Sequence, residues 1–216
     1  MSRTRVGVAP PNAAQQLSGT PGDGSAPSVT PAGVHLLAVR PAAELARHVA
    51  PLLPMNATKY LAGRMRRTIS GPMWHGPAVA ELLAGLTPAE AAARPIPGAH
   101  TAWELVLHLA VWGEIAAARL DGGMVAYPPP DVDWPAPPEH ASAEAWAAAQ
   151  ARLAAAYEAL AARVVALPGA RLAEPVPGQE HSVGAMLDGV VEHGTYHGGQ
   201  IALLRRAGGA SQALTA

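Results

Sequence analysis

The stretch HTAWELVLHLAVWGEIAAARLDGG, residues 100–123, decides the fold class because it predicts one long, well-capped helix. Thr101 and Glu104 have the spacing of a capping box, which satisfies free backbone N–H groups at a helix start. Gly122 and Gly123 then end the helix. No segment of the chain convincingly alternates polar and apolar residues with a period of two. The sequence therefore predicts an all-α protein.

Three more segments predict long helices. The first is ATKYLAGRMRRTI, residues 57–69, which is amphipathic and the shortest of the four. The second follows a cap at Ser142 and ends before Pro168. The third follows a cap at Ser182, covers residues 183 to about 207 and ends at Gly208.

Two shorter helices are predicted between the first and second long ones. AVAELLAGL, residues 78–86, places Leu82, Leu83 and Leu86 at core spacing. It is followed by TPAE, residues 87–90, a second capping box with proline at the first helical position, which starts one short turn.

Four long helices predict a four-helix bundle. About 20 residues, rich in proline, connect the second and third long helices. Fully extended they could reach about 65 Å, twice the length of a 20-residue helix. We therefore expect a crossover that makes these two helices parallel, stiffened by residues 128–130 and able to roof one end of the bundle.

The first 54 residues differ from the rest. Their Pro, Gly, Ser and Thr content, without a period, predicts a disordered or dispensable extension, with Met55 close to the natural start. The bundle domain is expected to cover residues 55–216.

Composition excludes several function classes. The formal net charge of −1 argues against a general nucleic-acid binder. The absence of cysteine excludes disulfides, thiolate ligands and a cysteine nucleophile. No apolar run approaches a membrane span of about 20 residues, and the first residues lack the apolar core of a signal peptide. A cytoplasmic location follows by default.

Three histidines carry the chemistry. His193 and His197 lie four residues apart in VVEHGTYHGGQIALLRR, residues 190–206, and so project from one helix face. Gln200 lies over the same face. On the helix that decides the fold, His108 lies on an apolar stripe and is expected to face the interior. A metal ion held by His108, His193 and His197 would compensate the cost of burying all three.

A simpler reading remains open on spacing alone. Histidines at i and i+4 arise by chance, and a single histidine on an apolar face is usually a hydrogen-bonded core residue. The third inward histidine on another helix favours the metal site.

Two stretches resemble the DinB/YfiT-like superfamily of metal-dependent proteins, over residues of about 70 to 207. They are WHGPAVAELLAGLTPAEAAARPIPGAHTAWELVLHLAVW, residues 74–112, and VVEHGTYHGGQIALLRR. The resemblance implies a four-helix bundle with a crossover and a metal site at His108, His193 and His197. It also implies an activity, because some members transfer low-molecular-weight thiols such as bacillithiol, mycothiol or glutathione. Many members have no assigned activity.

Three neutral imidazoles with an open position are typical of a catalytic zinc site. Zinc is the first expectation, although nickel, copper and iron also suit imidazole ligands. Such an ion would lower the pKa of a bound water, or bind a thiol as thiolate. Because the chain has no cysteine, a sulfur nucleophile must come from a cofactor.

The neighbouring residues have weaker roles. Gln200 is a candidate for bonding a metal-bound water or substrate, or else a buried glutamine bonded to backbone. Tyr196 is expected to pack, Glu192 to point away from the ligands and Glu104 to cap its helix. Trp112 is expected in the core, with a pocket lining as the alternative.

The remaining histidines divide into two groups. His75 and His100 are loop residues that could support the metal ligands from behind. The others are expected at the surface: His35, His48, His140 and His181.

Two function classes follow. The first is a metal-dependent enzyme acting on a small molecule, with thiol transfer as its reaction and hydrolysis as a variant. The second is a non-catalytic, stress-associated metal-binding bundle, which could act as a homodimer. An open pocket over the metal would favour the first class.

Overall fold

The structure, a computed structural model, describes residues 56–209. The expectations for residues 1–54, and for Met55 as a start, lie outside the described residues. Within them the chain forms seven α-helices and one 3-10 turn, and its β pairing is limited to two isolated bridges. The all-α prediction is confirmed. The elements are α1 (Ala57–Ser70), α2 (Val79–Leu83), α3 (Pro88–Ala92), α4 (Ala102–Leu120), α5 (Pro130–Asp133), α6 (Ala143–Ala166), the 3-10 turn (Gly169–Ala173) and α7 (Val183–Ala207).

The predicted helix caps are all present. At four helix starts a side-chain hydroxyl oxygen accepts a hydrogen bond from the backbone N–H of the residue three positions later, with N–O distances of 3.1–3.2 Å. Each such cap typically stabilises a helix by about 1 kcal/mol. The hydroxyls belong to Thr87, Thr101, Ser142 and Ser182.

The four long helices enclose one apolar core. Helix α4 packs against α6 and α7, and α1 packs against the same two helices. The core contains all three leucines predicted for it, Leu82, Leu83 and Leu86 of the α2 region. Among the described residues, no helix is both long enough and apolar enough to cross a membrane.

Helices α4 and α6 run parallel, as the length of their connection predicts. Residue numbers on the two helices rise together along their contact. The contacting pairs, with ring-centroid or N–O distances, are Trp103–Trp146 at 5.0 Å, Glu114–Arg152 at 2.8 Å and Asp121–Arg163 at 3.0 Å.

The connection between α4 and α6 lies along the side of α4. It runs back along α4, from Val125 beside Arg119 to Asp133 beside His108. It also contains α5, a short helix that begins at Pro130 and was not predicted. Proline is well suited to the first turn of a helix, because the N–H that it lacks has no partner there.

Gly194 lets α7 approach its neighbours between the two histidines of its motif. A Cβ at this position would lie 2.5 Å from Cγ2 of Thr68 on α1 and 3.2 Å from the hydroxyl of Tyr157 on α6. Only a residue without a side chain fits this contact. Gly199 on the same helix is exposed, and a Cβ there would meet nothing within 4 Å.

The two glycines should therefore respond oppositely to alanine. Gly194→Ala should destabilise the fold by about 1–3 kcal/mol, because the added methyl overpacks the contact with Thr68. Gly199→Ala should stabilise it by about 0.5–1 kcal/mol, since alanine is the better helix former. Urea unfolding of both variants measures the difference. Equal effects would show that α7 does not depend on this close approach.

Candidate metal centre

Three histidines from two helices meet in the interior. His108 projects from α4, and His193 and His197 project from α7. Nε2 of His193 lies 3.0 Å from Nε2 of His108 and 2.8 Å from Nε2 of His197. One nitrogen of each ring lies within 4.8 Å of the other two. The structure therefore brings together the three residues that the sequence singled out.

Hydrogen bonds on the far side of two rings fix where their lone pairs point. Nδ1 of His108 donates to the backbone carbonyl of Asp133 at 2.6 Å. Nδ1 of His197 donates to Oε1 of Gln200 at 2.6 Å. A neutral imidazole has one N–H, so Nε2 of both rings is left as an acceptor facing His193.

The cluster has one hydrogen-bond donor too few for its acceptors. His193 Nε2 carries at most one hydrogen, which it can direct to either His108 or His197. Its other contact then has poor hydrogen-bond geometry or brings two lone pairs together, which is unfavourable in the interior. A cation at the centre would accept all three lone pairs, and imidazole nitrogens at such spacing suit a divalent metal ion. The donor set therefore fits a metal.

Burial keeps the three rings neutral. Removal from water lowers the pKa of His193 to about 3, with further lowering from the nearby His197 and His108. Burial is also the main cause that lowers the pKa of His108 and of His197. Neutral imidazole is the form that binds metal, so protons compete little for these ligands at pH 7.

An open cavity of about 520 Å³ adjoins the cluster. His108 and His193 form part of its wall, whereas His197 does not line it. Most of the remaining wall is apolar. The residues of this wall include Trp112, Ile115, Ala116, Trp134, Met186 and Val190.

Comparison with known proteins places the chain in a family. The family model described as the DinB superfamily matches residues 74–201, more than half of the chain. The chain belongs to the DinB superfamily. No curated protein and no solved structure gives a significant match to it. The family match includes all three histidines of the cluster, and together they support a metal-binding protein of this superfamily.

Asp133 and Trp134 support the site in this DinB-superfamily chain, and the sequence analysis missed both. Asp133 is 6% exposed, and its carboxylate lies 3.2 Å from Nδ1 of His108. It also accepts hydrogen bonds from Trp112 Nε1 at 2.8 Å and from the Tyr127 hydroxyl at 3.2 Å. Trp134 stacks on His108 with ring centroids 3.8 Å apart. An acid and an aromatic residue within a run of prolines, DVDWP, is the signal that could have indicated them.

Two neighbouring residues, Tyr196 and Trp112, differ from their predicted roles. Within the described residues the Gln200 side chain bonds to His197 and Tyr196 and not to backbone, and its candidate role toward a metal-bound water or substrate stays a prediction. Tyr196 does not pack in the core: it is 64% exposed, and its hydroxyl accepts a hydrogen bond from Gln200 Nε2 at 3.2 Å. Trp112 is half-buried and lines the cavity, so the core interpretation was wrong.

The other candidates lie farther from the ligands. Glu104 caps α4 through the Thr101 N–H at 2.6 Å, as predicted. His100 is exposed and stacks on Trp134 at 3.5 Å, so it reaches His108 only through that ring. His75 is exposed and does not line the cavity beside the cluster. The sites of His35 and His48 lie outside the described residues, whereas Glu192, His140 and His181 are exposed, as expected.

Removal of one imidazole should abolish tight metal binding. His197→Ala should lower metal affinity by at least about 100-fold, more than the loss typical of outer-shell changes. The helical fold should persist, because the apolar core and not the metal stabilises it. Competition with a chromophoric chelator measures affinity, and circular dichroism measures the fold. His140→Ala, at an exposed site in the connection, is the control and should bind metal normally.

Gln200 should affect metal affinity through His197 alone. Gln200→Leu removes the acceptor for Nδ1 and should weaken metal binding about 10–100-fold. Gln200→Glu keeps an oxygen acceptor at the same reach and should retain affinity. The same chelator titration compares them. Equal losses in both variants would show that the bond to His197 does not orient the ligand.

Proposed function

We propose that this protein is a divalent-metal-dependent enzyme that transfers a low-molecular-weight thiol to a small electrophile. The observation that carries this proposal is the open cavity of about 520 Å³ beside the histidine cluster. A protein that only stores or senses a metal has no need for such a space. An enzyme needs it to place a substrate beside the ion.

The donor set supports metal chemistry of this kind. Zinc is the first expectation, with nickel, copper and iron as the other metals that imidazole ligands suit. A divalent ion held by His108, His193 and His197 would supply a positive charge that stabilises a thiolate or hydroxide at neutral pH. The chain contains no cysteine, so a thiol nucleophile would enter as a second, soluble substrate.

The chain's own residues would position the reactants. Asp133 and Gln200 hold His108 and His197 with their Nε2 lone pairs inward. Trp134 covers one face of His108 and prevents that ring from turning. The apolar wall around Trp112 and Met186 would bind the hydrophobic part of a substrate and limit access of water.

The reaction needs no oxidant or reductant. The thiol loses its proton to solvent, and its sulfur lone pair forms the new S–C bond. With an alkyl halide or an epoxide, the leaving halide or ring oxygen departs with the electron pair of the C–X or C–O bond that breaks. With an activated alkene, the π electron pair moves to the neighbouring carbon, which takes a proton from solvent. The same site could instead direct hydroxide at an ester or amide, which is hydrolysis. The alternative of a non-catalytic metal-binding protein, with or without dimer formation, predicts no turnover of either kind.

The test is turnover by the metal-loaded protein. Zinc-loaded wild type is assayed with mycothiol, bacillithiol and glutathione against a panel of alkyl halides, epoxides and activated alkenes. We expect thiol-dependent product with at least one pair, reduced by at least about 100-fold in His197→Ala, with His140→Ala as the active control. Omission of thiol distinguishes transfer from hydrolysis.

Absence of thiol-dependent product throughout the panel, in protein shown to contain metal, would favour the non-catalytic class. Product that forms equally in His197→Ala would exclude the three-histidine site as its source.

A further inference from the structure

Arg119 is a buried cation on the same face of α4 as His108, the one residue of the histidine cluster that α4 contributes. It follows His108, Trp112 and Ile115 at helical spacings of four, three and four residues, which align one stripe. All four residues line the cavity. Arg119 is only 6% exposed, an uncommon position for an arginine that lacks a charged partner.

The contacts of Arg119 are all with neutral groups. Its Nε donates to the carbonyl of Val125 at 3.0 Å, and Nη2 donates to the carbonyl of Ala126 at 3.5 Å. Within the described residues, no carboxylate lies within ion-pair distance of the guanidinium, and Nη1 makes no hydrogen bond. Burial lowers the pKa of Arg119, which is the effect of a positive charge without full compensation.

The side chain extends back toward the cluster. The Arg119 Cζ lies 5.8 Å from the ring centroid of Trp112, and that ring lies 6.0 Å from the ring of His193. Trp112 therefore separates the guanidinium from the three imidazoles along one wall. The cavity has a cationic end, an apolar middle and a histidine end.

The one acidic side chain that lines this cavity is already engaged. Asp133 accepts hydrogen bonds on both carboxylate oxygens, from Trp112 and from Tyr127, and lies beside His108. With a divalent ion among the histidines, the charges lining the cavity would sum to a positive value. An anionic ligand would therefore be favoured over a neutral one of the same shape.

We propose that Arg119 binds the carboxylate of a small ligand whose apolar body lies along Trp112, Ile115 and Met186. A guanidinium matches a carboxylate with directed N–H donors, and burial strengthens that contact. The proposal rests on the proposed function for one point, namely that this ligand is the electrophile, which presents its reactive end to the histidines. The thiol is the other carboxylate source, because glutathione and bacillithiol also carry carboxylates.

Binding, measured without turnover, tests the proposal. The full-length cobalt-loaded protein is titrated calorimetrically with 3-phenylpropanoate and with 3-phenylpropanamide, its neutral analogue of the same shape. We expect the acid to bind at least about 10-fold tighter than the amide, and the visible cobalt spectrum to report any direct coordination. Arg119→Gln should remove most of this preference, leaving only the part that the metal charge contributes. Arg163→Gln, which changes an exposed arginine on α6, should keep it.

A parallel titration with S-methylglutathione distinguishes the two carboxylate sources. Binding that is weakened by Arg119→Gln only for the phenylpropanoate supports the electrophile as the source. Weakening only for S-methylglutathione overturns that assignment and places the carboxylate on the thiol. A cobalt spectrum altered by the acid equally in wild type and Arg119→Gln means that the acid binds the metal and overturns the proposal.

Arg119 also donates hydrogen bonds to the connection, so its substitution could affect the fold. Two further measurements distinguish ligand binding by Arg119 from this structural role. Arg119→Lys keeps the charge and should retain part of the preference for the acid, even if its stability falls. The comparison of acid with amide in the wild type needs no variant, and equal affinities there refute the proposal. A protein without thiol turnover but with the Arg119-dependent preference would refute only the proposed function.

Discussion

The Nε2 atoms of His108, His193 and His197 face one another in the interior, and this arrangement is electrostatically unfavourable without a cation between them. Two of the three rings already donate their single N–H, on Nδ1, to partners outside the cluster: His108 to the backbone carbonyl of Asp133 and His197 to Gln200. The one hydrogen that His193 Nε2 can carry cannot satisfy both of the lone pairs that face it. The surrounding structure, from the cap of α4 to the close contact at Gly194, holds this electron-rich centre in the core, and an ion is its simplest complement.

The crossover connection links fold to chemistry. Because α4 and α6 run parallel, the chain must return along α4 before α6 can begin. On that path it passes first Arg119 and then His108, and it gives each of them a backbone carbonyl. A short hairpin would have made the two helices antiparallel and left both side chains without these partners. The connection thus contributes Tyr127, Asp133 and Trp134 to the wall of the cavity.

The features that sequence analysis predicted well are those governed by local rules. Caps at Thr101 and Ser182, the end at Gly208 and the shared face of His193 and His197 all depend on spacing within one helix. The parallel direction of α4 and α6 was predicted from the length of the connection between them. Asp133, Trp134 and the true contacts of Gln200 and Tyr196 depend on where an irregular segment or a side chain comes to rest in three dimensions. Such placement has no periodic signal. The absence of a carboxylate within ion-pair distance of Arg119, among residues 56–209, likewise shows only in three dimensions.

The stacking of Trp134 on His108 also gives the molecule an optical property. Its indole lies between His108 and His100, with ring centroids 3.8 and 3.5 Å away, and a second indole, Trp112, lies 6.0 Å from His193. Indole emission is sensitive to the charge and protonation of rings in contact with it. A change in the charge of these imidazoles is therefore expected to alter the emission of Trp134 and Trp112, two of the five tryptophans of the chain.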